Sequence, residues 1–356
     1  MISSISINNL RGIKSGKIDE LTDINVLIGV NGAGKSTVLE AIYLASAWAD
    51  PRDYVRDFQK FDVVAQRRTR RWGWESSKDF LWHGMNTDES ISISLSFKSG
   101  KVMEFKVPYR VPTTVGVPIF LKYLDTRISP GGLKLDAGNT VTLDEPRFRE
   151  ACGEFKEEID YLKGVALVDH MIYSDIRSVE RNILPKIYSK RLDKLIISLI
   201  KEGYEPDAES LTYMPVSSSE YALMVALSRT SVRVDDLGDG ARVSLVIASI
   251  LSTINNTAAL IEDPEVHQHP AGLERLLNFV LNVAERNNIQ LFITTQSLDF
   301  LRALLFICPS NCKVFALRRE EGNLKYKKFT LDEIEDLLES KVDIRRITEE
   351  MQLEAR

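Results

Sequence analysis

Apolar and polar positions give the two ends of the chain one rhythm and the middle another. Near the N-terminus, Ile5 and Ile7 alternate with polar neighbours, and the unbroken apolar run from Ile24 to Ile28 suits a buried strand. A glycine-rich turn follows, and then residues 36–48 carry apolar side chains at helical spacing. Residues 90–97 alternate strictly, and 102–107 resume after Ser99-Gly100-Lys101, which predicts a hairpin. From about Ser129 the chain turns Gly- and Pro-rich, and helical stretches are predicted near 145–164 and 176–201. The pattern over 206–230 is ambiguous. Beyond it, the spacing predicts helix 241–254, strand 258–262, helix 271–286, strand 290–294, helix 298–306 and strand 313–317. Alternation at this spacing implies parallel strands joined by crossover helices. The expected organisation is an α/β domain whose first lobe spans 1–128 and includes an antiparallel β subdomain. A mainly helical insertion spans 129–230, the second lobe 231–320, and a tail 321–356.

Composition narrows the class only slightly. With 356 residues, 44% hydrophobic and 27% charged, the chain is neither fibrous nor wholly disordered. A net charge of −5 excludes a uniformly basic surface but leaves room for a local basic patch. Three cysteines (Cys152, Cys308 and Cys312) are too few to staple a chain this long, which points to a reducing compartment. The N-terminus has no apolar core suited to a signal peptide, and the most apolar segment, from Val243, falls short of the roughly 20 residues that span a bilayer. A cytoplasmic protein with no membrane partner is expected.

Chemistry enters at Gly29–Thr37, GVNGAGKST, which fits G-x-x-x-x-G-K-[ST] directly after an apolar strand and at the start of a helix. Glycines let such a loop turn its N–H groups around phosphate oxygens, and the helix start adds a positive pole. Asn31, Gly32, Ala33, Gly34 and Thr37 are therefore candidate phosphate contacts. Lys35 supplies a point charge to the β- and γ-phosphates, and the Ser36 hydroxyl is a ligand for Mg²⁺. The implied ligands are ATP and Mg²⁺.

Three later motifs extend the pattern: LGDGAR at 237–242, AALIEDPEVHQHP at 258–270 and FITTQS at 292–297. Together with NLRGIKSGKI near the N-terminus, their order and spacing resemble the ATPase heads of the ABC type. The closer resemblance is to the soluble SMC-like and OLD (overcoming lysogenization defect) branch. It covers roughly 1–50 and 235–320 and is weak in between. It implies an α/β P-loop NTPase in which two copies sandwich two ATP molecules. Gly238, Asp239 and Gly240 then stand at the signature loop, which contacts the γ-phosphate of ATP held by the opposite subunit. Glu262 takes the metal-associated position, Asp263 that of the water-activating acid with Glu265 as a second candidate, and Gln296 that of the switch histidine. Arg11 corresponds to an arginine close to the nucleotide, although a solvated charge on an edge strand is an equally open reading. Three departures predict slow hydrolysis: Gly238 lacks a hydroxyl, Asp263 is one methylene shorter than the usual Glu, and Gln296 takes up no proton at neutral pH.

Weaker signals complete the reading. Arg67, Arg68, Arg70 and Arg71 beside Trp72 and Trp74 form a nucleic-acid candidate, with a solvated charge run as the alternative. His267 and His269 with Cys308 and Cys312 do not make a convincing zinc site. Only about 40 residues follow the last predicted strand. Neither an OLD-type nuclease domain nor an SMC-type coiled coil is expected. The function implied is an ATP-dependent homodimeric switch acting on DNA or on a nuclease or other effector, in repair or anti-phage defence. The alternatives are a non-catalytic nucleotide-dependent scaffold and, less favoured, a transporter ATPase.

Overall fold

A computed structural model describes residues 1–69, 77–107, 109, 113–114, 117–118, 124–129, 132–137, 153–218, 220–307 and 309–345. Its packing divides the chain into two units, one of Met1–Asp53, Phe58–Val165 and Asn311–Arg356, the other of Tyr54–Asp57 and Ala166–Ser310.

The first unit begins with β1 (Ile2–Leu10), β2 (Ile13–Ile18), β3 (Ile24–Ile28), α1 (Lys35–Ser46) and α2 (Lys60–Thr69). The hairpin of β4 (Ile91–Phe97) and β5 (Val102–Val107) follows, then β6 (Leu124–Ser129), β7 (Gly132–Ala137) and α3 (Lys156–Lys163). In β4 the strict alternation does what it predicts: Ile91, Ile93, Leu95 and Phe97 are buried while the serines between them are half-buried. β3 is buried at every position, as its apolar run requires.

The second unit opens with β8 (Ala166–Val168), α4 (His170–Ser174), α5 (Arg177–Asn182), α6 (Leu184–Ser189) and α7 (Asp193–Gly203). An antiparallel sheet of β9 (Ala208–Pro215), β10 (Tyr221–Leu227) and β11 (Ser231–Arg233) comes next. The unit closes with α8 (Asp239–Thr253), β12 (Thr257–Glu262), α9 (Pro270–Arg286), β13 (Ile289–Thr295) and α10 (Leu298–Ile307). β8, β12 and β13 run parallel, in that order. The chain then returns to the first unit with β14 (Cys312–Glu320), β15 (Asn323–Phe329) and α11 (Leu331–Glu339). There the strand order is β3-β14-β15-β2-β1-β4-β5-β7-β6. β14 pairs parallel with β3 and antiparallel with β15.

The elements differ from expectation in four places. The helix predicted over 176–201 is three helices: Pro185 sits in the first turn of α6, where a helix can start but not continue, and Arg191 adopts φ 56°. The ambiguous stretch 206–230 falls in the antiparallel sheet, so the described part of the middle is less helical than expected. Residues 323–329, placed in the tail, are a strand. The unit boundaries at 165/166 and 310/311 also differ from the expected 128/129, 230/231 and 320/321, because Ala166–Val168 already pairs with β12. Of the helix predicted over 145–164, α3 is the described part, and 145–152 lie outside the described residues. Among the described residues no helix is long and apolar enough to cross a membrane.

Candidate nucleotide site

In the first unit, the loop after β3 leads into α1. Gly34 is the N-cap at φ 103°, a left-handed conformation that glycine adopts without strain. A Cβ there would also meet Leu324 Cδ1 at 3.2 Å and Ile13 Cδ1 at 3.4 Å, so β15 and β2 form the floor of the loop. Lys35 is buried and its ammonium folds back across the loop, donating to the carbonyls of Gly29 (2.7 Å) and Val30 (3.2 Å). Asn31 and Gly32 are exposed, Ser36 is half-buried, and Ala33 and Thr37 are buried. The first-turn N–H groups of α1 have no acceptor within the helix, and a helix start of this kind favours an anion.

Behind the loop, α1 is held by buried charge. Glu40 is fully buried and accepts from Arg11 Nε at 2.6 Å and from Arg67 Nη1 at 2.9 Å. Arg11, at φ 53°, also donates from Nη2 to the Val64 carbonyl at 2.6 Å. Nearby, Lys60 is fully buried and donates to Ser46 Oγ at 2.9 Å, and burial lowers its pKa to about 8. These contacts correct two expectations. Arg11 is not a solvated edge charge; its Nε and Nη2 hold α1 and α2. Arg67 is not part of a surface patch, because α2 places it on the buried side with Phe61 and Val64. The side chain of Arg68, and Arg70, Arg71, Trp72 and Trp74, lie outside the described residues.

In the second unit, β12 ends at Glu262 and the chain turns sharply, with Asp263 at φ 45° and His267 at φ 65°. The Asp263 N–H donates to the Thr294 carbonyl at 3.1 Å, and Thr294 Oγ1 donates to Asp263 Oδ1 at 3.2 Å. Glu265 Oε1 accepts from Thr295 Oγ1 (2.6 Å) and from the Gln296 N–H (3.2 Å). Glu265 therefore fixes the start of the loop that carries Gln296. Glu262 Oε2 lies 3.6 Å from His170 Nδ1, and the Glu262 carbonyl accepts from Tyr173 Oη at 3.2 Å. Burial, followed by the neighbouring carboxylates, raises the Tyr173 pKa well above the ordinary phenol value and keeps it a donor.

Asp169, His170 and Glu262 are a group among the described residues whose ligand atoms converge enough for a metal ion. Asp169, however, already pairs with Arg56 Nη2 at 2.5 Å and caps α4 through the Met171 N–H at 3.1 Å. His170 and Tyr173 escaped the sequence reading; the signal was the polar pair ending the apolar run of β8. His269 caps α9, with Nδ1 accepting from the Ala271 N–H at 3.4 Å.

Residues 237–242, expected to be a signature loop, lead into α8. Gly238 is the N-cap, and Asp239 is the first helical residue, paired with Arg242 Nη2 at 2.8 Å. His267 Nδ1 lies 3.9 Å from Asp239 Oδ2. Gly240 follows in the first turn, again at a positive helix pole.

Comparison with known proteins agrees with this layout. Residues 1–63 match the family model described as "AAA ATPase domain", and 159–302 match "AAA domain, putative AbiEii toxin, Type IV TA system". The solved SMC head bound to the C-terminal winged-helix domain of ScpA superposes with a TM-score of 0.50 at 10% identity, over 93% of this chain and 98% of that one. The fold is that of an SMC head. An "ATP/GTP phosphatase" of Helicobacter pylori is 19% identical to this chain over 339 residues, 85% of this chain and 87% of the relative. A "DNA double-strand break repair Rad50 ATPase" of Methanopyrus kandleri is 40% identical over 85 residues, which are 22% of this chain but 9% of that protein.

Proposed function

We propose that the chain binds ATP and hydrolyses it slowly, and that two copies associate around the nucleotide as a switch. The observation that carries this reading is the loop at Gly34–Ser36: a left-handed glycine cap, a helix start and a buried lysine together suit a phosphate. The Ser36 hydroxyl and the Glu262 carboxylate are hard oxygen donors of the kind Mg²⁺ takes, and both would serve it. When bound, Mg²⁺ would offset phosphate charge. Asn31 to Thr37 hold the triphosphate, Asp263 accepts the proton of the attacking water, and Gln296 orients that water by hydrogen bonding. Gly238, Asp239 and Gly240 meet the γ-phosphate of the second copy's ATP. The switch acts on DNA or on a separate effector protein, in repair or defence, which the Rad50 and toxin-type matches support. A non-hydrolysing regulatory role is the second reading, favoured by Asp263 being held at Oδ1 by Thr294.

The test combines binding of a fluorescent ATP analogue, phosphate release, and sedimentation with and without ATP. Binding that is lost in Lys35→Ala, release below about one per second, and ATP-dependent dimers support the first reading. Binding and dimers without release select the second. Absence of binding defeats both.

A further inference from the structure

Three elements of the second unit meet on one phenol. Tyr204, at the end of α7, donates from Oη to Gln268 Oε1 at 2.7 Å and is hydrogen-bonded to Ser244 Oγ of α8. Gln268 Nε2 donates to the Gly240 carbonyl at 2.9 Å and reaches Ser244 Oγ at 3.3 Å. A phenol has one proton to give. With that proton on Gln268, Ser244 donates to the Tyr204 oxygen, and the amide of Gln268 has one orientation: oxygen to the phenol, nitrogen to Gly240. Burial raises the Tyr204 pKa, so the phenol stays a donor through neutral pH.

The fit around Gly240 is tight. A Cβ there would lie 2.9 Å from the His267 carbonyl oxygen and 3.3 Å from Gln268 Oε1. The turn that carries Gln268 is itself bonded along its length, with the Val266 N–H donating to the Asp263 carbonyl (3.1 Å) and the Gln268 N–H to that of Glu265 (3.0 Å). A displacement at Asp263 therefore reaches Gln268 through backbone bonds and passes from its amide to Gly240.

We propose that Gln268 is a positioning residue for the signature loop: its amide, oriented by Tyr204 and Ser244, makes residues 238–240 move as one body with the acidic turn 263–268. Gln268 acts through Gly240 and does not itself meet nucleotide. That this loop serves ATP hydrolysis rests on the function proposed above; the mechanical link does not.

The test uses the full chain as wild type, Gln268→Glu and Tyr204→Phe. Gln268→Glu keeps the size and the acceptor facing Tyr204 but sets a carboxylate oxygen against the Gly240 carbonyl. Without nucleotide, hydrogen exchange over 237–243 should rise about tenfold in Gln268→Glu and a few-fold in Tyr204→Phe, with exchange over 29–46 unchanged. ATP turnover should show kcat lowered about tenfold with KM within about twofold of wild type, because the phosphate loop is untouched. Wild-type exchange at 237–243 in a folded Gln268→Glu protein overturns the proposal, as does a loss confined to KM. If Gln268→Glu does not fold, Tyr204→Phe, which removes a single oxygen, carries the same comparison. A wild-type protein without turnover defeats the proposed function, and the exchange result still decides the positioning role.

Discussion

The phosphate loop and the acidic turn are supported in opposite ways. Helix α1 is held from behind by ionic groups taken out of water: Glu40 between Arg11 and Arg67, and Lys60 against Ser46. The turn after β12 is held mainly by backbone, hydroxyl and amide groups: Thr294, Thr295, Tyr204, Ser244 and Gln268. Removing one partner from a buried ion pair strands a charge, whereas a lost neutral hydrogen bond costs about 1 kcal/mol. The first region should therefore report substitutions as stability and the second as altered motion and turnover.

The largest test of this contrast is Glu40→Ala, which leaves two buried guanidiniums without this carboxylate. We expect a loss of about 3–5 kcal/mol in denaturant unfolding, and wild-type stability would remove the distinction between the regions. Lys60 gives an effect of opposite sign. Its pKa is about 8 folded against 10.5 for the free group. Below pH 8 both states carry the proton, and folding bears the full cost of burying the charge. Between pH 8 and 10.5 the unfolded state alone keeps the proton, so the Lys60 contribution to stability rises with pH by about 3 kcal/mol in all. Lys60→Met should raise stability at pH 7 and flatten that rise, as melting curves across pH 7 to 10 would show.

In the acidic turn, Asp263→Asn should lower phosphate release by about 10²-fold while ATP binding and the melting temperature stay near wild type. A large fall in melting temperature would mean that the carboxylate carries stability as the α1 charges do. The smallest effect is expected at Gly238, where a Cβ would find nothing within 4 Å. Gly238→Ser should change stability by less than about 0.5 kcal/mol, and any gain in ATP-dependent dimerisation would come from the added hydroxyl.

The strand, glycine-rich loop and helix around 24–46 were legible because their signals are local: glycines, a lysine and a hydroxyl follow an apolar strand without interruption. The backing charges were not, since they join Arg11, Glu40 and Arg67 across two helices and a strand turn. Two signs of them are visible in retrospect. Glu40 interrupts an otherwise apolar helix, and Arg67 falls at helical spacing from Phe61 and Val64, so the arginine run begins on an inward face. Strand β15 was missed because its lysines mask Leu324 and Phe329, its two buried positions. The Tyr204–Gln268 contact spans 64 residues, and nothing local to either residue marks it.

The position of β15 also bears on how the protein is made. Its Leu324 and the Ile13 of β2 lie under the same glycine of the phosphate loop, and β3 has β14 as a sheet neighbour. During synthesis, the loop at 29–37 leaves the ribosome about 300 residues before this floor exists. A nascent chain therefore carries the glycine-rich motif long before it carries the packing beneath it. On the function proposed above, ATP selects for the native form only once β14 and β15 have emerged, and a ribosome-bound chain stalled before residue 312 should not be protected by it.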